Sequence, residues 1–465
     1  MSKQNIKRLI FFAAAAAVGL IIANISPPEG LTQHAMQFGG IFTAVLILLI
    51  SQQFTDWTIM LAAMCLLPLL GIRTFEEAFS AWSGSTMWLV IMVFALSVGI
   101  ANSGLLTRIS LKVLSLFPAT YRGAVTALTA TAVVLGPLVP SLSAKVNLLA
   151  PLATETTVQM GLPERSKGAL GLLSATYIPA QIASNAWISG SAHIGLMLMC
   201  MSNPGVWNFV TWLKVTAVWM VVIIAGSWIY SAIVCKPAEN VEFPADYFKN
   251  KYRDLGKISP KEVKAAILLV LCIAVWSTSS IHGMDTTLFG LIVVCLMFYL
   301  DLFTTVDLIT RVPWSMMVQI GGLLALSGCI TSLNWSTYLA GVLAPILSPL
   351  VQNPFVFVVF LIVSTYIVRF VIIDQLACTV IYVAIFGALC ASAGISEFVL
   401  VFCVFMAGMV WNTSYQNPLI NATVQIAGGK YVPFAEMRKS SYAFMVIFLA
   451  ACLVSVPVWS IMGLL

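Results

Sequence analysis

Trp88–Ser103 reads W-L-V-I-M-V-F-A-L-S-V-G-I-A-N-S, and Met317–Leu333 contains V-Q-I-G-G-L-L-A-L-S-G-C-I-T-S. At one constant offset Ala95, Leu96, Ser97 and Ile100 coincide with Ala325, Leu326, Ser327 and Ile330. In a chain this apolar, a weak repeat is the usual trace of two duplicated halves with a site where they meet. Chance similarity between apolar runs is the other reading, and the segments next to each copy decide between them.

The 465 residues are 60% hydrophobic and 9% charged, with a mean hydropathy of +0.99. Soluble domains carry about a quarter charged residues, so the class is a polytopic membrane protein. Long apolar runs without strand-like alternation make it all-α. The cysteines mostly lie inside those runs (Cys65, Cys200, Cys272, Cys295, Cys403, Cys452) and act as small apolar residues, not as a disulfide or zinc framework. The net charge of +6 is topological and no nucleic-acid partner is expected. No H-E-x-x-H, G-x-S-x-G, P-loop or C-x-x-C is present, so an enzyme is not expected and no organic cofactor is implied.

Leu9–Ile25 follows Lys3, Lys7 and Arg8 and has no small-x-small cleavage site before Pro27-Pro28, so it reads as an uncleaved first helix. Further runs of spanning length are 36–53, 57–71, 85–104, 207–235, 264–281, 286–300, 313–332 and 440–463. Residues 120–200 and 350–425 differ: they are apolar but broken by Pro137, Pro140, Pro151, Pro179, Pro354 and Pro418. Interrupted segments in matching places of both halves point to a binding site made of re-entrant hairpins and unwound helices.

If each half supplies ordinary spans, one hairpin and one broken helix, about eleven transmembrane helices result. The amino terminus is then cytoplasmic and the carboxyl terminus outside. Of the 23 Lys and Arg, the outer loops hold only Arg73 and Lys214, and the interrupted segments hold Lys145 and Arg369. The rest fall inside, as the positive-inside rule asks of a multi-pass cell-membrane protein. The hairpins must open to opposite sides for this to work, so the two repeats are inverted.

Residues 1–118 are expected to be first-half scaffold helices ending in an interfacial helix, and 119–205 to hold the first hairpin and broken helix. Residues 206–235 form a transmembrane helix, and 236–263 a polar cytoplasmic linker. Scaffold helices of the second half fill 264–349, its hairpin and broken helix 350–430, and a terminal helix 431–465. In Leu105–Phe117, Leu105, Ile109, Val113, Leu116 and Phe117 oppose Arg108, Lys112 and Ser115, an amphipathic pattern that fits an arm in the inner interface.

The stretch A-W-S-G-S-T-M-W-L-V to G-I-A-N-S-G-L-L-T-R-I (Ala81–Ile109) resembles the divalent anion/sodium symporter family, most closely its dicarboxylate-exchanger branch. That family's first hairpin tip reads P-S-N-T-A-R, followed by a second proline. This chain has Pro140-Ser141-Leu142-Ser143-Ala144-Lys145, with Pro151 at the same spacing. The resemblance implies a secondary transporter of small di- or tricarboxylate anions, with sodium ions as possible co-ligands. It also implies a homodimeric scaffold against which a transport domain slides like an elevator. Ser141 matches the motif serine, Ser143 stands for threonine, Leu142 for asparagine and Lys145 for arginine. The second hairpin's S-x-T becomes Asp374-Gln375-Leu376. The broken-helix loops are 183–191 and 412–421, with Asn185 and Asn417 as counterparts.

Lys145 lies deep in an apolar stretch, where a charge costs on the order of 2.5–3.5 kcal/mol. It can replace a sodium ion beside the substrate or pair structurally with Glu155. Asp374 can coordinate a cation, carry a proton or neutralise Arg369. His193, the only intramembrane histidine, reads as a hydrogen-bonded helix residue or a proton relay. Thr379, Asn412, Thr413, Asn417 and Asn421, with Asn185, supply uncharged donors and acceptors for a substrate. Candidate sodium ligands are Ser143, Asn185, Asp374 and Asn417. The rival reading is a cation/proton antiporter of related broken-helix architecture using Asp374. Mixed acids and bases at the crossing favour an anion.

Overall fold

The computed structural model describes residues 3–51, 53–427 and 429–465. Among these, regular structure is helical apart from one isolated bridge between Thr120 and Glu242. The first half runs α1 (Lys3–Ala23), α2 (Gln33–Ser51), α3 (Asp56–Leu69), α4 (Ser85–Asn102), α5 (Leu105–Leu114), α6 (Tyr121–Leu138), α7 (Leu142–Gln159), α8 (Lys167–Gln181), α9 (Ala192–Met199) and α10 (Phe209–Ile229). The second runs α11 (Pro260–Ser277), α12 (Thr286–Tyr299), α13 (Trp314–Ser332), α14 (Trp335–Val351), α15 (Pro354–Val368), α16 (Gln375–Ser392), α17 (Glu397–Ala407), α18 (Pro418–Ile426) and α19 (Phe434–Ile461).

The repeated sequence falls on α4 and α13, and the elements after each copy match in order. A connecting helix comes first (α5, α14), then a hairpin (α6–α7, α15–α16), a broken helix (α8/α9, α17/α18) and a closing span (α10, α19). The halves interlock: α3 packs on α13 and α12 on α4. The loop after each short span docks a base on the other half. Arg73 donates to Gly328 O at 3.0 Å and to Ser332 at the end of α13. Arg311 and Asp307 both bond Asn102 at the end of α4.

Among the described residues six helices are long and apolar enough to cross a membrane on their own, and α4 with α5 adds a pair bent by 69°. Fewer full-length spans than expected appear because several segments turn back or break: α15, α17, α9 and α18 have 15, 11, 8 and 9 residues. Gly104, at φ 82°, makes the bend between α4 and α5, a conformation that costs an L side chain but not glycine.

Pro140 and the capping Ser141 end one arm of the first hairpin and start the other; the Ser141 side chain accepts from Ala144 N. The second hairpin closes antiparallel, with Tyr382 bonded to Ser364 at 2.9 Å and Phe386 against Phe357 and Phe360.

Each unwound segment is braced by its closing span, because backbone groups away from water must be satisfied. On α10, Trp212 Nε1 donates to Asn185 O at 2.9 Å and Thr216 Oγ1 to Ala186 O at 3.0 Å. On α19, Ser441 Oγ receives Trp411 N at 3.0 Å and donates to Asn412 Oδ1 at 2.9 Å. An aromatic column of Trp212, Trp219, Phe398, Phe402 and Trp459 locks α10, α17 and α19 together. Each such pair contributes about 0.5–1.5 kcal/mol beyond burial.

The inner side of the arm α5 is not purely apolar. Its buried side chains are Leu106, Arg108, Ser110, Leu111 and Leu114, whereas Leu116 is exposed and Leu105, Ile109 and Val113 are half-buried. Arg108 is drawn inward to Glu262, with Nε–Oε1 at 2.7 Å, while Leu105, Ile109 and Phe117 pack partly against the core.

Candidate functional site

A cavity of 590 Å³ opens where both hairpin tips and both helix breaks meet. Its wall holds Ser141 and Ser143, Asp374 and Gln375, Ser191 and His193, and Gln416 and Asn417. Ser141, Ser191, Asp374 and Asn417 are the N-caps of α7, α9, α16 and α18. Four helix N-termini therefore converge on one space, two from each half. The positive ends of their dipoles make it a ready anion site.

Lys145 stands behind this wall, fully buried. Its ammonium donates to Gly190 O at 2.7 Å and to Gly136 O at 3.3 Å. Those carbonyls belong to the first broken helix and the first hairpin, so the side chain bolts the two together. The pairing with Glu155 is overturned: Glu155 instead binds Lys251 and Tyr247, because α7 carries it a turn and more beyond the cavity.

The second half repeats the device with Arg369, which is 2% exposed. Its terminal nitrogens donate to Gln416 O at 2.6 Å and Ile372 O at 3.1 Å, and Gln416 Nε2 returns a bond to Arg369 O at 3.1 Å. Asp374 makes no ion pair with it: Oδ1 accepts from Ala377 N at 2.6 Å and Oδ2 from Gln319 Nε2 at 3.0 Å. Neutralisation of Arg369 by a direct contact is thus corrected, since the carboxylate is held at the cap of α16. Gln319 lies on α13, so this bond joins the hairpin tip to the other wall of the cavity.

Of the residues expected at the site, Ser141, Ser143, Asp374 and Asn417 line the cavity. Asn185 turns its amide to Gln181 O and Ile182 O. Thr379 bonds Gln375 O inside its own helix. Asn412 joins Ser441 and Met445, Thr413 N reaches Gln416 Oε1, and Asn421 bonds Ser414 O. None of these five lines the cavity, and Asn185 Oδ1 and Thr413 Oγ1 are buried without a hydrogen-bond partner. His193 lines it with Nδ1 unpartnered and its ring edge-on to Phe405, not hydrogen-bonded there as expected.

The sequence reading missed Asp56, Gln181 and Gln416, which also line the cavity. Gln181 Nε2 binds Leu142 O at 2.9 Å, tying α8 to the first tip. Leu49, Asp56, Pro313 and Met316 form the facing wall, from the end of α2 and the starts of α3 and α13. Across the segment 187–191 a second cavity of 350 Å³ is lined by Ile188, Ser189, Trp276, Asp285 and Thr286. Among the described residues no group of three or more metal-ligating side chains occurs.

A family model described as the sodium:sulfate symporter transmembrane region matches residues 4–465. Among curated proteins, a putative malate transporter, YflS, of Bacillus subtilis is 26% identical over 62% of both chains. The match thus spans less than two thirds of that relative's length. The L-tartrate/succinate antiporter of Shigella dysenteriae is 22% identical over 96% of this chain and 97% of its own. A chloroplastic dicarboxylate transporter of Arabidopsis thaliana is 23% identical over 68% of this chain and 58% of its own. Among solved structures, the Alcanivorax borkumensis YdaH transporter has the same fold, with a TM-score of 0.55 at 16% identity over 99% of this chain and 98% of its own.

Proposed function

The chain belongs to the sodium:sulfate symporter family, and from that premise we propose that it exchanges small dicarboxylates across the cell membrane by an elevator motion. One observation carries the reading: a cavity rimmed by four helix N-termini, with a side-chain cation fixed behind each hairpin tip. The dipoles favour the substrate's negative charge. Lys145 and Arg369 bond to carbonyls that would otherwise be open to sodium, so sodium becomes dispensable. A carrier with built-in cations cannot leave them behind on an empty return, which makes exchange its natural mode.

α2, α3, α4, α11, α12 and α13 act as the scaffold, which dimerises, and the hairpins with the broken helices travel. The cavity is walled by the end of α2 and the starts of α3 and α13, which the charge distribution assigns to the cytoplasmic side. The state is therefore inward-facing, and the two repeats are inverted.

Counterflow tests this. Proteoliposomes loaded with L-malate should accumulate labelled L-malate equally with and without sodium. Uptake that needs a sodium gradient would overturn exchange. Absence of counterflow with every dicarboxylate would overturn the substrate class.

A further inference from the structure

The charges around the cavity do not match a plain dianion. Its lining holds two carboxylates, Asp56 and Asp374, against one guanidinium, Arg369. The second cation, Lys145, does not line it. The terminal nitrogens of Arg369 each give a hydrogen bond to a carbonyl, of Ile372 and of Gln416, and its Nε has no partner. Where the resembling family places the hydroxyls of S-x-T, this chain places the carboxyl of Asp374.

An ionised carboxylate only accepts hydrogen bonds, at about four lone-pair positions. In Asp374 one bond to each oxygen is used, by Ala377 N and by Gln319 Nε2. Acceptor capacity remains at the rim of the cavity. A second acceptor lies close by in sequence to the first break: Gln181, 1% exposed and lining the cavity, has Oε1 without a partner. An unsubstituted dicarboxylate brings acceptors alone. Two like charges brought into contact near a protein surface repel each other. A hydroxyl or ammonium beside the substrate's carboxylate turns that contact into a charge-assisted hydrogen bond.

We propose that the cavity selects dicarboxylates bearing a hydrogen-bond donor, a hydroxyl or an ammonium, next to a carboxylate, and that Asp374 receives that donor. The inference rests on the transport reading above. It makes Asp374 a substrate-contacting specificity residue, placed by its cap on α16 and its bond to Gln319.

The test is competition against labelled L-malate uptake in proteoliposomes. L-malate, tartrate and L-aspartate form one arm and succinate the other. In the native protein, at least one of tartrate and L-aspartate should compete about as well as L-malate, and succinate at least about tenfold more weakly, because a site built for a donor rejects the analogue lacking it. The member that competes better tells hydroxyl from ammonium. Asp374→Asn keeps an acceptor for Ala377 N and removes the charge, and should shrink the malate-to-succinate ratio about tenfold. Succinate equal to L-malate in the native protein, or a ratio unmoved by Asp374→Asn, would overturn the proposal while leaving exchange intact. The native preference needs no variant, so poor folding of Asp374→Asn does not blunt the test.

Discussion

At the scale of single residues, Lys145 joins the hairpin and the broken helix of its half, and its loss has two consequences. Lys145→Ala leaves the carbonyls of Gly136 and Gly190 without the donor they have now, and an unsatisfied buried group costs about 1–3 kcal/mol. It also removes a fixed cation. Exchange should fall at least about tenfold, and added sodium should recover part of it by occupying the freed carbonyls. Rates unchanged from the native protein would refute the role. Gly190 has its own constraint: a Cβ there would lie 2.0 Å from Ser184 O, a backbone atom that cannot swing away. Gly190→Ala should displace the segment, abolish exchange and lower the melting temperature in detergent by several degrees. A variant with native melting and native exchange would show that the segment tolerates the shift. Lys145 was legible in the sequence because a charge at that depth demands a reason. Its partners were not, since carbonyls of remote unwound segments leave no mark in residue identity. Asp56 escaped for a related cause: it opens an ordinary span and meets the cavity only through packing.

Among elements, α5 shows what an amphipathic pattern leaves unsaid. The amphipathic periodicity is real, yet the buried side is built around an arginine. Arg108 donates to both oxygens of Glu262 and to the carbonyls of Gly256 and Lys257. Glu262 meanwhile closes the capping box of α11 with Ser259. It lies in the first turn of α11, ahead of the apolar run that opens at residue 264. The bond from Arg108, with that from Ser259, holds its carboxyl below the usual range. The folded value lies under the unfolded one, so the stabilisation is complete above the unfolded titration. It is lost as pH falls through the folded value. Glu262→Gln should therefore melt several degrees below the native protein at neutral pH, and the gap should narrow on acidification. Equal melting at neutral pH would mean the clasp between arm and linker contributes nothing. The hairpins were legible from their prolines. The brace that α10 and α19 place on the unwound loops was not, because tryptophans and serines in a span look like ordinary packing.

For the whole molecule, the interlocked halves put two cavities on either side of one thin segment, 187–191. One cavity holds Ser143 and the other Asn208. If scaffold and transport elements move past each other, the two positions must be open to opposite sides of the membrane in any single state. Eight of the ten cysteines are buried, and only Cys65 and Cys295 are exposed, so replacing those two gives a quiet background for labelling. Ser143→Cys should then react with a membrane-impermeant maleimide in inside-out vesicles and be protected by L-malate. Asn208→Cys should react in right-side-out vesicles, more slowly when L-malate holds the carrier in transit. Reaction of both positions from the same side would break the link between the two cavities and alternating access. It would leave the four converging helix ends as an anion site without a route across.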